Sequence, residues 1–168
     1  FAKKSIIADS LGVVVNDITS NAPLGIDSPT AIFGALCYFL QIYYDFSGYS
    51  DIAIGISRMF GFKFKENFNF PYTSLSIGEF WRRWHISLGS WFREYIYIPL
   101  GGNRKHVYIN LFIVFLITGI WHGSTLNFVI WGIAHGILSM VERLVREKVW
   151  YVKIPVIFKW LFTMIFVY

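Results

Sequence analysis

Charge is scarce in this sequence: Asp, Glu, Lys and Arg together make up 15% of its 168 residues, where soluble domains carry about 25%. Cysteine is nearly absent. The single Cys37 lies in an apolar run without a second cysteine to pair with, which excludes a disulfide within the chain and points to a buried, inert thiol. The patterns HExxH and CxxC are missing, as is any His/Cys/acid cluster at metal-ligand spacing, so no metal and no bound cofactor is expected. No GxGxxG or Walker sequence occurs, and DFSGYS at residues 45–50 lacks the first glycine of a GxSxG nucleophile turn. Neither an internal repeat nor a low-complexity segment is apparent.

What fills the space instead is apolar. Hydrophobic residues reach 55%, aromatics 20%, and mean hydropathy is +0.51. Disorder is excluded and a membrane is the natural solvent, with Phe, Tyr and Trp suited to belts at headgroup level. The opening FAKKSIIADS has no initiator Met and no long apolar run, so it does not read as a signal peptide. The closing IPVIFKWLFTMIFVY stops in mid-pattern, and residues 1–168 are expected to be an internal part of a larger membrane domain, with amino-terminal spans and the carboxyl-terminal end outside this sequence. Residues 58–105 hold eight Lys/Arg against three acids, a net +5, while the remainder sums to zero. Flanked by membrane-like runs, such a block reads as the cytoplasmic face rather than as a nucleic-acid site.

Along the chain, Ile6, Ile7, Leu11, Val14 and Val15 predict a short amphipathic helix ending near Asn16-Asp17. Ser28 and Pro29 suit an N-cap and a first helical position. From Thr30 the chain is apolar until Asp45 and Asp51, which bracket FSGYS and predict a helix broken or turned inward at residues 45–51. These two acids could cap broken helix ends, pair with arginines of residues 58–105 or orient a catalytic histidine, and structural pairing suits them best. Residues 61–75 read as a cytoplasmic or interfacial loop interrupted by Pro71. SIGE at 76–79 is a capping box with Leu75 and Phe80 as its hydrophobic staple. Beyond it Trp81, Trp84, His85, Leu88, Trp91, Phe92 and Tyr95 fall on one helical face opposite Arg82, Arg83 and Arg93, which predicts one basic interfacial helix ended by Pro99, Gly101 and Gly102.

The 33 residues from Tyr108 to Met140 carry no charge. As one helix they would run about 50 Å, against a hydrocarbon core of about 30 Å. A break at Gly123-Ser124 divides them into a hairpin with basic outer ends and GIWHGST, residues 119–125, at its tip. The fold class expected is all-α: a polytopic integral membrane protein of transmembrane, broken or re-entrant, and interfacial amphipathic helices.

Four histidines are candidates for chemistry. His106 sits in a basic loop and suggests no function. His135 follows His122 by 13 residues, off its helical face, and reads as an interhelical hydrogen bond. His122 has polar neighbours in Thr118, Ser124, Thr125 and Asn127. It is either a packed, satisfied histidine or a functional one, and ionisable groups at membrane depth are commonly functional. Burial favours an uncharged imidazole, which is a competent general base. His85, on an apolar and aromatic face, reads by position alone as an amphipathic ring with one wet nitrogen.

The segments QIYYDFSGYSDIAIGISRMFGFKFKENFNFPY, EFWRRWHISLGSWFREYIYIPLGGNRK and LITGIWHGSTLNFVIWGIAHG resemble, in order and spacing, the membrane-bound O-acyltransferase family and its alginate O-acetylation subgroup. The resemblance runs from about residue 3 to residue 143, and WRRWH with WHG is its specific part. It implies a multi-pass protein of the bacterial plasma membrane that moves an acyl group, acetyl in the first instance, from a cytoplasmic thioester such as acetyl-CoA. The acceptor implied is a polysaccharide hydroxyl outside the cytoplasm, or a separate extracytoplasmic acyltransferase. His122 would be the catalytic histidine and His85 a second one tied to activity. On that footing Ser124 and Asn127 could steady an oxyanion, and Arg82, Arg83 and Arg93 could meet the donor's phosphates, with Asp45 a further candidate contact. The partners expected are lipid, donor and acceptor, with no nucleic acid. Two rivals remain: a transporter or channel with His122 as proton relay, which an inverted repeat would favour, and a non-catalytic membrane scaffold.

Overall fold

A computed structural model describes residues 1–123 and 125–167, with the side chain of Leu24 also outside the description. All regular structure among the described residues is helical, as expected. Contacts divide the chain into two units, 1–67 and 68–168.

In the first unit a π-helical stretch, Lys3–Ala8, leads into α1 (Asp9–Asn21), and both pack along α2 (Ser28–Met59). The helices run antiparallel: Gly12 meets Gln41, Gly34 meets Ile18, and Gly48 meets Lys3 and Lys4. Two expectations fail here. α1 continues past Asn16-Asp17 to Asn21. More consequentially, α2 is one unbroken helix of 32 residues, about 48 Å long, and does not break at residues 45–51. The reason is long-range pairing. Lys3 reaches Asp51 at 2.8 Å and Lys4 pairs with Asp45, so both acids stay in the helix with a partner beside them. Gly48 lies between them in sequence, and a Cβ there would come within 3.0 Å of the Lys4 backbone nitrogen. Asp45 and Asp51 therefore pair structurally, but with Lys3 and Lys4 rather than with the expected arginines of residues 58–105. Asp27 rather than Ser28 takes the N-cap position, a shift of one residue. Cys37 is buried, as its surroundings suggested.

The second unit begins with a loop and a short 3-10 turn, Pro71–Thr73, before α3 (Ile77–Arg83). The Ser76 half of the capping box forms, with Ser76 Oγ accepting the Glu79 N–H at 3.1 Å, while Glu79 Oε2 reaches one residue further back and accepts the Leu75 N–H at 2.9 Å. The predicted single interfacial helix does not. It is interrupted at Trp84 and His85, resumes as α4 (Ile86–Phe92), and ends in a π-helical turn, Arg93–Tyr97. Trp84 is drawn into a ring cluster, edge-on to Phe68 at 5.0 Å and stacked on Phe80 at 5.6 Å. This packing outweighs the helical period.

A turn closed by Gly101 and Gly102, both at positive φ, delivers the chain to α5 (Val107–His122). Buried Asn110 ties that turn down by donating to Gly102 O at 3.1 Å and Lys105 O at 2.7 Å. α5 ends where the break was expected, Ser124 lies outside the described residues, and α6 (Leu126–Val145) runs back antiparallel. Glycines set the approach: a Cβ on Gly119 would stand 2.4 Å from Phe128 O, and one on Gly132 2.6 Å from Phe115 O. Arg143 donates to Asn103 at 3.1 Å, so the two basic outer ends of the hairpin meet. The chain finishes with α7 (Val149–Val152) and the apolar α8 (Val156–Val167), whose Trp160 Nε1 donates to Tyr72 O at 2.7 Å. Among the described residues α6 is the one helix long and apolar enough to cross a membrane, while α5 and α8 are apolar but shorter.

Candidate active site

WRRWH lies where α3 gives way to α4. The Trp84 N–H closes the last turn of α3 on Phe80 O at 2.9 Å, and His85 O accepts the Gly89 N–H at 3.0 Å to start α4. Between them His85 adopts φ 44° and ψ 54°, a left-handed conformation that costs a non-glycine residue about 1–2 kcal/mol. The kink takes His85 off the path of α3, and its half-buried ring lines a cavity.

That cavity, about 250 Å³ and mainly apolar, has His85 and His122 in its wall together with Trp81, Phe115 and Thr118. The two motif histidines therefore share one site. Trp121 stands edge-on to both, 6.4 Å from the His85 ring and 5.1 Å from the His122 ring. Burial holds the His85 imidazole below its ordinary pKa, and the neighbouring His122 acts in the same direction. His85 is therefore neutral at pH 7. Its Nδ1 lies 3.5 Å from Ser87 Oγ.

His122 departs from expectation in one respect. It is the last residue of α5 and is exposed in this stretch, because the helix ends immediately beyond it and nothing described here covers the hairpin tip. The buried histidine is His135, 4% exposed, and its predicted interhelical hydrogen bond is not found at Nδ1, which has no partner among the described residues. Aromatic rings take that place: Trp81 at 5.1 Å, Trp131 at 4.6 Å and Phe115 at 6.2 Å. Trp131 also stands 5.3 Å from the His122 ring, so the two histidines flank one indole.

The remaining candidates separate. Arg82 and Arg93 line the cavity. Arg83 does not; it pairs with Glu79 at 2.8 Å and donates to Asn69 O at 3.3 Å, both structural contacts. Asn127 is exposed in the first turn of α6 and Ser124 lies outside the described residues. The Thr118 hydroxyl donates to Val114 O on its own helix at 2.7 Å. Asp45 belongs to the first unit, where it holds Lys4. Among the described residues no group of three or more His, Cys, Asp or Glu could hold a metal ion. Sequence reasoning missed Trp131 and Glu142, although Phe128, Trp131, His135, Ser139 and Glu142 repeat at three- and four-residue spacing, the signature of a helix face.

Comparison with known proteins bears on this arrangement. The family described as MBOAT, membrane-bound O-acyltransferase family, matches residues 22–166. A probable alginate O-acetylase of Pseudomonas putida is 52% identical over 149 residues, covering 85% of this chain and 30% of that protein. A peptidoglycan O-acetyltransferase of Helicobacter pylori is 46% identical over 92% of this chain and 32% of its own length. A teichoic acid D-alanyltransferase of Bacillus subtilis is 38% identical over 60% of this chain and 28% of its own. The chain thus spans about a third of the length of these curated relatives.

Proposed function

We propose a function that starts from family: this chain belongs to the membrane-bound O-acyltransferase family, whose model matches residues 22–166. It is part of an enzyme that transfers an acyl group, acetyl in the first instance, from a thioester to a hydroxyl of an envelope polysaccharide, directly or through an extracytoplasmic acyltransferase. The observation that carries this reading is the meeting of His85 and His122 in the wall of one cavity. The relatives' names, which specify alginate, peptidoglycan and teichoic acid, support a polymeric acceptor.

In the mechanism, the unprotonated ring nitrogen of His122 takes the proton of the acceptor hydroxyl as its oxygen attacks the thioester carbonyl. The carbonyl oxygen becomes an oxyanion, steadied by Asn127, Ser124 or a backbone N–H at the start of α6. Collapse of the intermediate breaks the C–S bond, and the imidazolium returns its proton to the departing thiolate. Neutral His85 orients the thioester. Arg82 and Arg93, at the cavity wall, meet phosphates of a donor of coenzyme A type. Segments outside this chain would cover His122 and keep the site dry. The stretch then forms part of a longer multi-pass domain of the bacterial plasma membrane, with the α5–α6 hairpin entering the bilayer and the block around α3 and α4 at its cytoplasmic interface.

The test is reconstitution of the full-length protein in proteoliposomes with an acetyl thioester labelled in the acyl group. Label should reach a polysaccharide hydroxyl with the wild type and remain on the thioester with His122→Ala. Transfer by His122→Ala at the wild-type rate would remove the assignment.

A further inference from the structure

Behind the cavity wall, α3 runs along α6 in the opposite direction. Gly78 N–H points to both Glu142 carboxylate oxygens at 3.2 Å, and three residues later Trp81 lies edge-on against His135 and Trp131, at 5.1 and 5.5 Å. Ser139, one turn beyond His135 and three residues before Glu142, lies on the same strip of α6.

Three polar atoms, one on α3 and two on this strip of α6, are buried without a hydrogen-bond partner among the described residues: Trp81 Nε1, His135 Nδ1 and Ser139 Oγ. His135 is 4% exposed and Ser139 8%. Buried polar atoms are almost always paired, and leaving each of these three unpaired is costly. Their chemistry is complementary to a single small molecule. An indole N–H only donates, an unprotonated imidazole nitrogen only accepts, and a hydroxyl does either. Water offers both functions and needs two to four polar partners to be held in a protein interior.

We propose that one water molecule is bound between α3 and α6, accepting from Trp81 Nε1–H, donating to His135 Nδ1 and sharing a hydrogen bond with Ser139 Oγ, and that His135 and Ser139 are positioning residues acting through it. His135 then carries its proton on Nε2. What the water positions is Trp81, the first residue of WRRWH. Trp81 and Phe115 both line the cavity and both pack on the His135 ring, at 5.1 and 6.2 Å. The back of the site thus has its orientation set by a hydrogen bond rather than by apolar packing alone.

The site itself is tested by a cryo-EM map of the full-length protein at a resolution that shows ordered solvent. One solvent peak within about 3.2 Å of all three atoms is expected; three atoms paired directly to protein groups, with no peak among them, would overturn the proposal. The positioning role rests on the acyltransferase reading and is tested by steady-state kinetics of His135→Phe and His135→Asn at matched membrane levels. His135→Phe removes the acceptor and should lower kcat/KM about tenfold, mainly through KM for the donor. His135→Asn can set its Oδ1 where Nδ1 stands and should remain within about threefold of wild type. Equal losses in the two variants would overturn the positioning role. Should the wild type itself transfer no acyl group, the acyltransferase reading fails and the map alone decides for or against the water.

Discussion

Glu142, near the end of α6, accepts a hydrogen bond from the backbone N–H of Gly78 in the first turn of α3, with both carboxylate oxygens 3.2 Å from that nitrogen. A carboxylate from one helix thus caps another 64 residues away in sequence. Gly78 makes this possible, because a Cβ there would stand 3.1 Å from Glu142 Oε1. The clasp sets where Trp81 and the kink at His85 fall relative to the α5–α6 hairpin.

Removing this clasp should destabilise the second unit. Glu142→Leu leaves the Gly78 N–H without its partner and should cost about 1.5–3 kcal/mol, the range for hydrogen bonds to charged groups. Gly78→Ala should cost less, since the carboxylate can give by a few tenths of an ångström. Thermal melts of the full-length protein in detergent measure both, and a melting temperature unchanged in Glu142→Leu would mean that the contact is incidental.

The hairpin should tolerate even less at its glycines. In Gly119→Ala the new methyl would meet Phe128 O, and in Gly132→Ala it would meet Phe115 O, at 2.4 and 2.6 Å with backbone on both sides. Neither contact can relax without parting the helices, so each should cost about 1–3 kcal/mol. Gly55→Ala, with nothing within 4 Å of its Cβ, is the matched control and should be neutral or mildly stabilising. Equal melting temperatures in all three variants would contradict close packing of α5 on α6.

How much of this was legible in the sequence depends on how local each cause is. Ser76 and Glu79 cap within a few residues, and the change of pattern at GIWHGST is local too, so both the start of α3 and the hairpin break could be read directly. The continuity of α2 could not, because it depends on Lys3 and Lys4, more than 40 residues from the acids they neutralise. The kink at Trp84-His85 was hidden for the opposite reason. The residues there fit a helical period without a Pro or Gly to interrupt it, and only the packing of Trp84 on Phe68, Tyr72 and Phe80 turns the chain. The site was legible as two motifs, WRRWH and WHG. Their meeting in one cavity, the exposure of His122 at the tip and the burial of His135 behind it follow from tertiary contacts that no spacing rule carries.

His85 should also leave a trace in the pH dependence of stability. Its folded pKa lies below the ordinary value of 6.5, so the unfolded chain binds a proton more readily than the folded one. Stability therefore rises with pH through the interval between the lowered folded pKa and about 6.5, and its full value is present above that interval. His85→Asn should flatten the part of the stability profile that lies below the ordinary value of 6.5. A variant with the same slope as wild type would show that another group titrates there.

The central claim is that His85 and His122 form one acyl-transfer site, and O-acetyl content of the surface polysaccharide tests it most directly. Wild-type, deletion, His122→Ala and His85→Ala strains are compared at matched membrane levels of the full-length protein. Loss of O-acetyl groups in the deletion and in both histidine variants is the predicted result. Loss in the deletion alone, with both variants acetylating normally, would contradict it and leave the protein a scaffold or a transporter.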